Sequence, residues 1–289
     1  MKRIRDLSLL TFGGLCLLGL SGCGGSTTSA GQQLMSGTGD ADSVKVTLSS
    51  GVVTDIPPIN ISNSAQSYIT LDNTGKIVEM KFTSLDGSVE FTAQNGDVIE
   101  QASANGVTWF ESVNDTGTAS AVALGDKKGG FAVFMSSNSP TEGLGAATVF
   151  SSQGHNTSLP SGTFSYNGAI MGIYAGEGFA PVKTAGRMTA VANFNTKTVA
   201  FSTSDTQGYN SDGTLKSGNY SYLNIPAATL SDTNGNGIFS GIVADTYNMG
   251  SAEIKFYGPS SESAAGIGSL TDNPDNPIFA HVVAFGGTR

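Results

Sequence analysis

His155 and His281 are the only histidines in the chain, so a Ser-His-Asp relay or any other imidazole-based proton transfer must use one of them. His281 alternates within the apolar run Ile278–Phe285, which is the setting of a packed side chain or of one at a rim. His155 lies in the polar connector Ser151–Pro160 and is expected at the surface. A second arrangement, Asp232-x-Asn234-x-Asn236-Gly237, reproduces the opening of a calcium-binding loop. Such a loop needs a bidentate Glu six residues after its glycine. Val243 stands there instead, and strand-like segments flank the loop. Asp, Asn and Gly are also what a plain β-turn requires, and that is the reading adopted. Glu177 and Asp205 fall in separate predicted loops, so no carboxylate pair for glycoside hydrolysis is assembled. There is no Gly-x-Ser-x-Gly elbow, no His-Glu-x-x-His and no phosphate-cradling glycine loop before a helix. The chain is expected not to be an enzyme.

Thiol chemistry is confined to Cys16 and Cys23. Lys2, Arg3 and Arg5 precede the apolar stretch Leu7–Leu20, and Leu20-Ser21-Gly22-Cys23 closes it. A basic flank, a short hydrophobic segment and small residues at the cut are the layout of a secretory signal. The stretch is shorter than the ~20 residues that span a bilayer comfortably. The tetrapeptide resembles the lipobox of bacterial lipoproteins, which implies cleavage before Cys23, lipid on its thiol and acylation of its new amine. Residues 1–22 are therefore predicted to be a signal peptide, and Cys23 the lipid attachment site. Each buried methylene contributes ~0.8 kcal/mol, so several acyl chains give a lasting membrane anchor. Gly24 replaces the aspartate associated with inner-membrane retention, which favours the outer membrane. Processing would leave Cys23 as the sole cysteine, with no disulfide and no Cys-rich zinc site.

The formal net charge is −9 over 289 residues. An acidic chain without a Lys/Arg cluster lacks the electrostatic footprint for DNA or RNA. Lys127-Lys128, beside Gly129-Gly130, reads as a solvated hairpin tip. Only 13% of residues are charged, while glycine alone accounts for 39 positions. That balance, with abundant Ser, Thr and Asn, belongs to strands and turns rather than helices. The Asn-x-Ser/Thr triplets at Asn60, Asn114, Asn156 and Asn219 are expected by chance in such a sequence.

Residues 23–42 are poor in large apolar groups and are predicted to form a flexible leash. A leash of that length would reach roughly 25 Å root-mean-square. Residues 43–150 are predicted to be β-rich. Val44–Leu48 alternates, Asp72–Gly75 separates the runs Tyr68–Leu71 and Lys76–Phe82, and Asn95-Gly96-Asp97 is expected to turn a second hairpin. Within residues 151–289 eight candidate strands follow: 163–174, 187–194, 199–203, 220–230, 238–245, 252–257, 265–270 and 278–285. Met188, Ala190, Ala192 and Phe194 would share one face. Interior glycines such as Gly168, Gly172, Gly241, Gly266 and Gly268 mark bends or close approach, as in a sheet that closes on itself. An eight-stranded antiparallel barrel is expected, with an open sandwich as the alternative.

The C-terminal half also resembles the β-barrel domain of the transferrin-binding protein B family, shared by related surface lipoproteins such as the factor H-binding proteins. The matching residues are Lys255-Phe256-Tyr257-Gly258-Pro259, Glu262-Ser263-Ala264-Ala265-Gly266 with Gly268, and the ending Val283-Ala284-Phe285-Gly286-Gly287-Thr288-Arg289. Thr163-Phe164, Gly168, Tyr174, Ala190–Phe194 and Thr198-Val199 fit the first barrel hairpin. Phe256 and Tyr257 are expected to cap the barrel interior before Gly258-Pro259 turns the chain.

The resemblance spans about residues 155–289, and a β-rich "handle" precedes each barrel in that family. By position, residues 43–150 would be that handle. It implies a non-catalytic, outer-membrane, surface-exposed lipoprotein that binds a host or envelope protein or an iron source. The receptors' transferrin-binding loops have no counterpart here, so transferrin is not carried over. Some relatives bind haem, which makes His155 a candidate axial ligand; no cofactor is otherwise implied. The remaining alternative is a structural or assembly lipoprotein of the envelope. The loop Asp205–Gly218, with Tyr209 and Asn210, is the candidate recognition surface, or else a hydrophilic loop without a role. A monomer is expected, tied to the membrane through Cys23.

Overall fold

A computed structural model describes residues 33–289 except 85–86, 105–106, 115–116, 125–128, 153, 211–213 and 247. Cys16, Cys23 and the pair Lys127-Lys128 lie outside the described residues. The N-terminal sheet contains β1 (Gln33–Ser49), β2 (Val52–Asp55), β3 (Asn60–Leu71), β4 (Ile77–Thr83) and β5 (Ser88–Thr92). It continues with β6 (Glu100–Ala104), β7 (Val107–Asn114), β8 (Gly117–Ala123), β9 (Gly129–Ser139) and β10 (Glu142–Ser151). The strand order is β5-β4-β3-β1-β10-β9-β8-β7-β6, with β2 paired to β1.

Strand alternation gives this sheet two apolar faces. On β9, Phe131 and Val133 point one way while Ala132 and Phe134 point the other. The sheet curls so that β5 packs across onto β7, β8 and β9. Phe82 lies against Phe134 and Phe150 inside that curl, with ring centroids 6.1 and 6.3 Å apart. The β3–β4 hairpin forms where the sequence places it. Asp72 Oδ1 accepts hydrogen bonds from the Thr74 and Lys76 amides at 2.8 and 3.0 Å and fixes the turn.

The second sheet is the expected barrel. Its strands are β11 (Thr163–Gly176), β12 (Val182–Asn193), β13 (Thr198–Tyr209), β15 (Ala228–Ser231), β16 (Ile238–Ala244), β17 (Met249–Tyr257), β18 (Ser263–Thr271) and β19 (Phe279–Thr288). A two-residue strand, β14 (Leu215–Lys216), pairs antiparallel with the last residues of β13. Each barrel strand pairs with its sequence neighbour, β19 returns to β11, and β12–β13 pairing completes the circle. The predicted face Met188, Ala190, Ala192 and Phe194 lies wholly in the interior. Phe194, Phe239 and Phe256 fill it with edge-on contacts at 4.8–6.1 Å between centroids. Such contacts add to the burial of each ring.

The outer wall of β11, β18 and β19 is covered by the N-terminal sheet. Met171, Ile173, Ile267 and Val282 pack there against Val44, Val46, Val133 and Val149 in one buried cluster. Each aliphatic side chain so withdrawn from water contributes about 1.5–3 kcal/mol. Gly145 allows the sheets to meet, since a Cβ there would lie 2.7 Å from Ile173. Across the same junction Lys183 donates to the Glu111 carboxylate, which also accepts from Trp109 Nε1 at 3.1 Å.

Five expectations need correction. The leash does not extend to residue 42, because β1 begins at Gln33 and pairs with β3 from that residue onward. Ala41, Asp42 and Ser43 are fully buried there, and their small side chains suit the crowded centre of a sheet. Asn95-Gly96-Asp97 does not join a hairpin either. Ala93–Asn95 forms a short 3-10 turn, and β5 and β6 lie on opposite edges of the sheet. Asp97 closes the loop on itself by accepting the Thr92 amide at 2.8 Å. The expected strand 220–230 is mostly irregular: a 3-10 turn at Ser221–Leu223 precedes the short β15. Tyr257 faces outward into the inter-sheet cluster, while only Phe256 fills the barrel. The loop 205–218 is shortened, because β13 runs on through Tyr209.

Candidate functional site

The two ends of the barrel differ. At one end the connector 154–162 is bound into the structure. Asn156 Nδ2 donates to Gly258 O at 2.6 Å and to Ser261 Oγ at 3.0 Å, and the Tyr166 hydroxyl donates to Ser261 O at 2.6 Å. Burial pushes the Tyr166 phenol up to about 12. Arg289 covers the Phe164 ring at 4.3 Å. His155 belongs to this end. Its Nε2 lies 3.0 Å from Asn236 O, and because a carbonyl only accepts, that nitrogen carries the proton.

The calcium-like loop completes the same end. Asp232 Oδ1 accepts the Asn236 amide at 3.1 Å and Oδ2 accepts the Gly237 amide at 3.0 Å. The buried carboxylate thus holds a turn, as read from the sequence. Gly237, at φ +81°, leaves no space for a Cβ beside Asn156 O. Among the described residues no group of three or more His, Asp and Glu side chains is placed to hold a metal ion.

His281 is deep in the barrel, where its Nε2 and Thr184 Oγ1 are 2.8 Å apart. Gly172 makes room for this contact, since a Cβ on it would fall 2.4 Å from the imidazole. Desolvation lowers the His281 pKa to about 3, so the ring is neutral. Among the described residues the ring's hydrogen-bond partner is the Thr184 hydroxyl rather than the carboxylate of a proton relay.

The opposite end carries several of the exposed apolar side chains. Phe179 tips the β11–β12 hairpin, Ile278 precedes β19, Met249 opens β17 and Ile242 projects from β16 with 78% of its surface exposed. The hairpin is tied to the N-terminal sheet by backbone pairing: Val53 N donates to Phe179 O and Gly178 N to Val53 O, both at 2.9 Å. Tyr174, Tyr222 and Phe279 form an aromatic cluster at this end, with centroids 5.9 Å apart. Desolvation first, then the hydrogen bond with Tyr174, raises the Tyr222 pKa. Asn248 Nδ2 holds the Tyr222 carbonyl at 3.1 Å. A groove of ≈ 360 Å³ runs beside this end, between Pro58 and Ile59 of the N-terminal sheet's loop and the outer wall of β16–β18.

Tyr209, the predicted recognition residue, is not on this surface. It is buried and meets Trp109 edge-on at 5.7 Å, so it serves the junction between the two sheets. The exposed residues that do gather here were missed in the sequence. Ile242 reads as an ordinary alternating strand residue until barrel closure decides which face is outside, and Met249 falls in an expected turn, whereas β17 begins at that residue.

The solved structures that the chain matches include several of transferrin-binding protein B. For the vaccine antigen from Haemophilus parasuis the sequence identity is 14% and the TM-score 0.45, covering 86% of this chain and 44% of that one. For the isotype 1 protein from serogroup B Neisseria meningitidis the values are 12%, 0.41, 85% and 58%. The chain therefore spans less than two thirds of either protein. These proteins belong to the family that residues 155–289 resemble in sequence. No protein-family model and no curated protein matches the chain.

Proposed function

We propose that this chain is a non-catalytic protein-binding module, lipid-anchored through Cys23 to the bacterial outer membrane, facing the cell surface as a monomer. The observation that carries the reading is the gathering of exposed apolar side chains at the barrel end formed by the loops after β11, β16 and β18. Patches of that kind mark interaction sites on soluble surfaces. The path of β1 supports the orientation. Its last residues lie beside the β11–β12 hairpin at this end, through the β2 pairing, while Gln33 is sixteen residues back along the strand. At ~3.3 Å per residue that separates the two by roughly 50 Å of strand. An anchor joined to Gln33 through residues 24–32 would leave the apolar end pointing away from the membrane.

Protease shaving of intact cells tests the surface location: loss of the folded chain is expected, and full protection behind an intact outer membrane would overturn it. Capture from host fluids and from envelope extracts, with Ile242→Glu as control, tests the binding end. A partner that also binds Ile242→Glu and Phe179→Glu with equal strength would place recognition elsewhere. Haemin titration is the discriminating control for the His155 alternative. A Soret shift that disappears in His155→Ala would replace the protein-binding reading with a haem-binding one.

A further inference from the structure

The groove beside Ile242 carries a charge pattern that specifies its partner. Its walls are apolar or uncharged: Pro58 and Ile59 on one side, Ile242 and Met249 on the other, with Pro274 and Pro277 closing one end. The three segments that border it are residues 55–59, 242–251 and 269–277. They contain Asp55, Asp245, Asp272 and Asp275, and no lysine, arginine or histidine. Asp55, Asp245 and Asp275 are exposed and Asp272 is half-buried. Among the described cations, Lys255 pairs with Glu253 at 3.0 Å, Lys45 pairs with Glu142 at 3.2 Å, and Lys183 is buried against Glu111.

An apolar slot bordered by one sign of charge attracts the opposite sign over about a Debye length, ~8–10 Å in physiological salt. It also repels acidic surfaces, which gives selectivity as well as attraction. We infer that the groove takes a protein segment with an aliphatic or aromatic anchor residue flanked by lysine or arginine. The anchor fills the space between Ile59 and Ile242 and its basic neighbours face the four aspartates. The inference rests on the protein-binding reading above and narrows it to a basic partner. It favours this occupant over a second copy of the chain, since two copies would bring two acidic borders together.

Panning a random dodecapeptide library on the full secreted chain, with Cys23→Ser to keep it unlipidated, tests both levels separately. Peptides are sorted by competition with Ile242→Glu and with the double substitution Asp272→Asn, Asp275→Asn. Ile242 is largely exposed, so its replacement leaves the core intact, which circular dichroism verifies. The expected peptides hold an apolar residue beside Lys or Arg and bind Ile242→Glu about tenfold more weakly. They should lose roughly two- to fivefold in the aspartate variant, and should weaken between about 0.05 M and about 0.5 M NaCl. Groove-dependent peptides that are neutral or acidic would overturn the charge assignment and leave the protein-binding reading standing. Peptides indifferent to Ile242→Glu would overturn the groove itself. Self-association of the unmodified chain that Ile242→Glu abolishes would make a second copy the occupant and overturn the basic-partner inference.

Discussion

His281 is held neutral in the barrel, with a pKa of about 3, whereas an imidazole in the unfolded chain titrates near 6.5. Below pH 6.5 the unfolded state binds a proton that the folded state refuses. Stability is therefore fully present above 6.5 and falls as pH drops toward 3, by about 1.4 kcal/mol for each pH unit. His281→Gln keeps a polar contact for Thr184 and removes the titration. Its urea midpoint should change less between pH 6.5 and 4.5 than that of the unmodified chain; parallel curves would show that another group governs the acid limb. Lys183 makes a second residue-scale test. Lys183→Met leaves the partly buried Glu111 with only Trp109 as a donor from this cluster, and should cost about 3 kcal/mol in chemical denaturation. Adding Glu111→Leu should restore most of that loss, because two apolar groups need no ion partner.

The strand β1 shows what an element contributes beyond its residues. A chain beginning at residue 33 keeps every described strand and should match the stability of a chain beginning at Cys23. Starting at residue 43 instead removes the β1 backbone that pairs with Gln66–Leu71. The β3–β5 arm should then open and exchange its amides early, which hydrogen exchange would report. Equal protection in both truncations would contradict the pairing. The same element marks a limit of sequence reading. Val44–Leu48 was legible because it alternates, while Gln33–Asp42 offers small and polar residues that look like a linker and pair all the same. Seven of the barrel strands were legible from alternation, turn residues and interior glycines, while the eighth, expected over 220–230, is strand only at Ala228–Ser231. The partners of β5 and β6 were not, because pairing is decided by residues far away in the chain. Tyr209 looked like a loop tyrosine for the same reason: its companion Trp109 is a hundred positions earlier. The apolar groove needed both sheets in place before Ile59 and Ile242 could be seen to face each other.

At the scale of the molecule, the two sheets share one buried cluster, so they are expected to unfold together. Calorimetry should show a single transition. Residues 151–289 alone would expose Met171, Ile173, Ile267 and Val282, and should bind a hydrophobic dye and self-associate unless these positions are made polar. A well-behaved monomeric fragment would contradict the shared core. The closure of the barrel has a further consequence for the order in which the two sheets can form. Gly176 finds its partner on β19 only when Phe279 has arrived, and β1 waits in the same way for β10. The N-terminal sheet can form once β10 is available, whereas the barrel cannot close before residues 279–288 are. β19, paired with both β11 and β18, is thus the strand on which closure of the barrel depends.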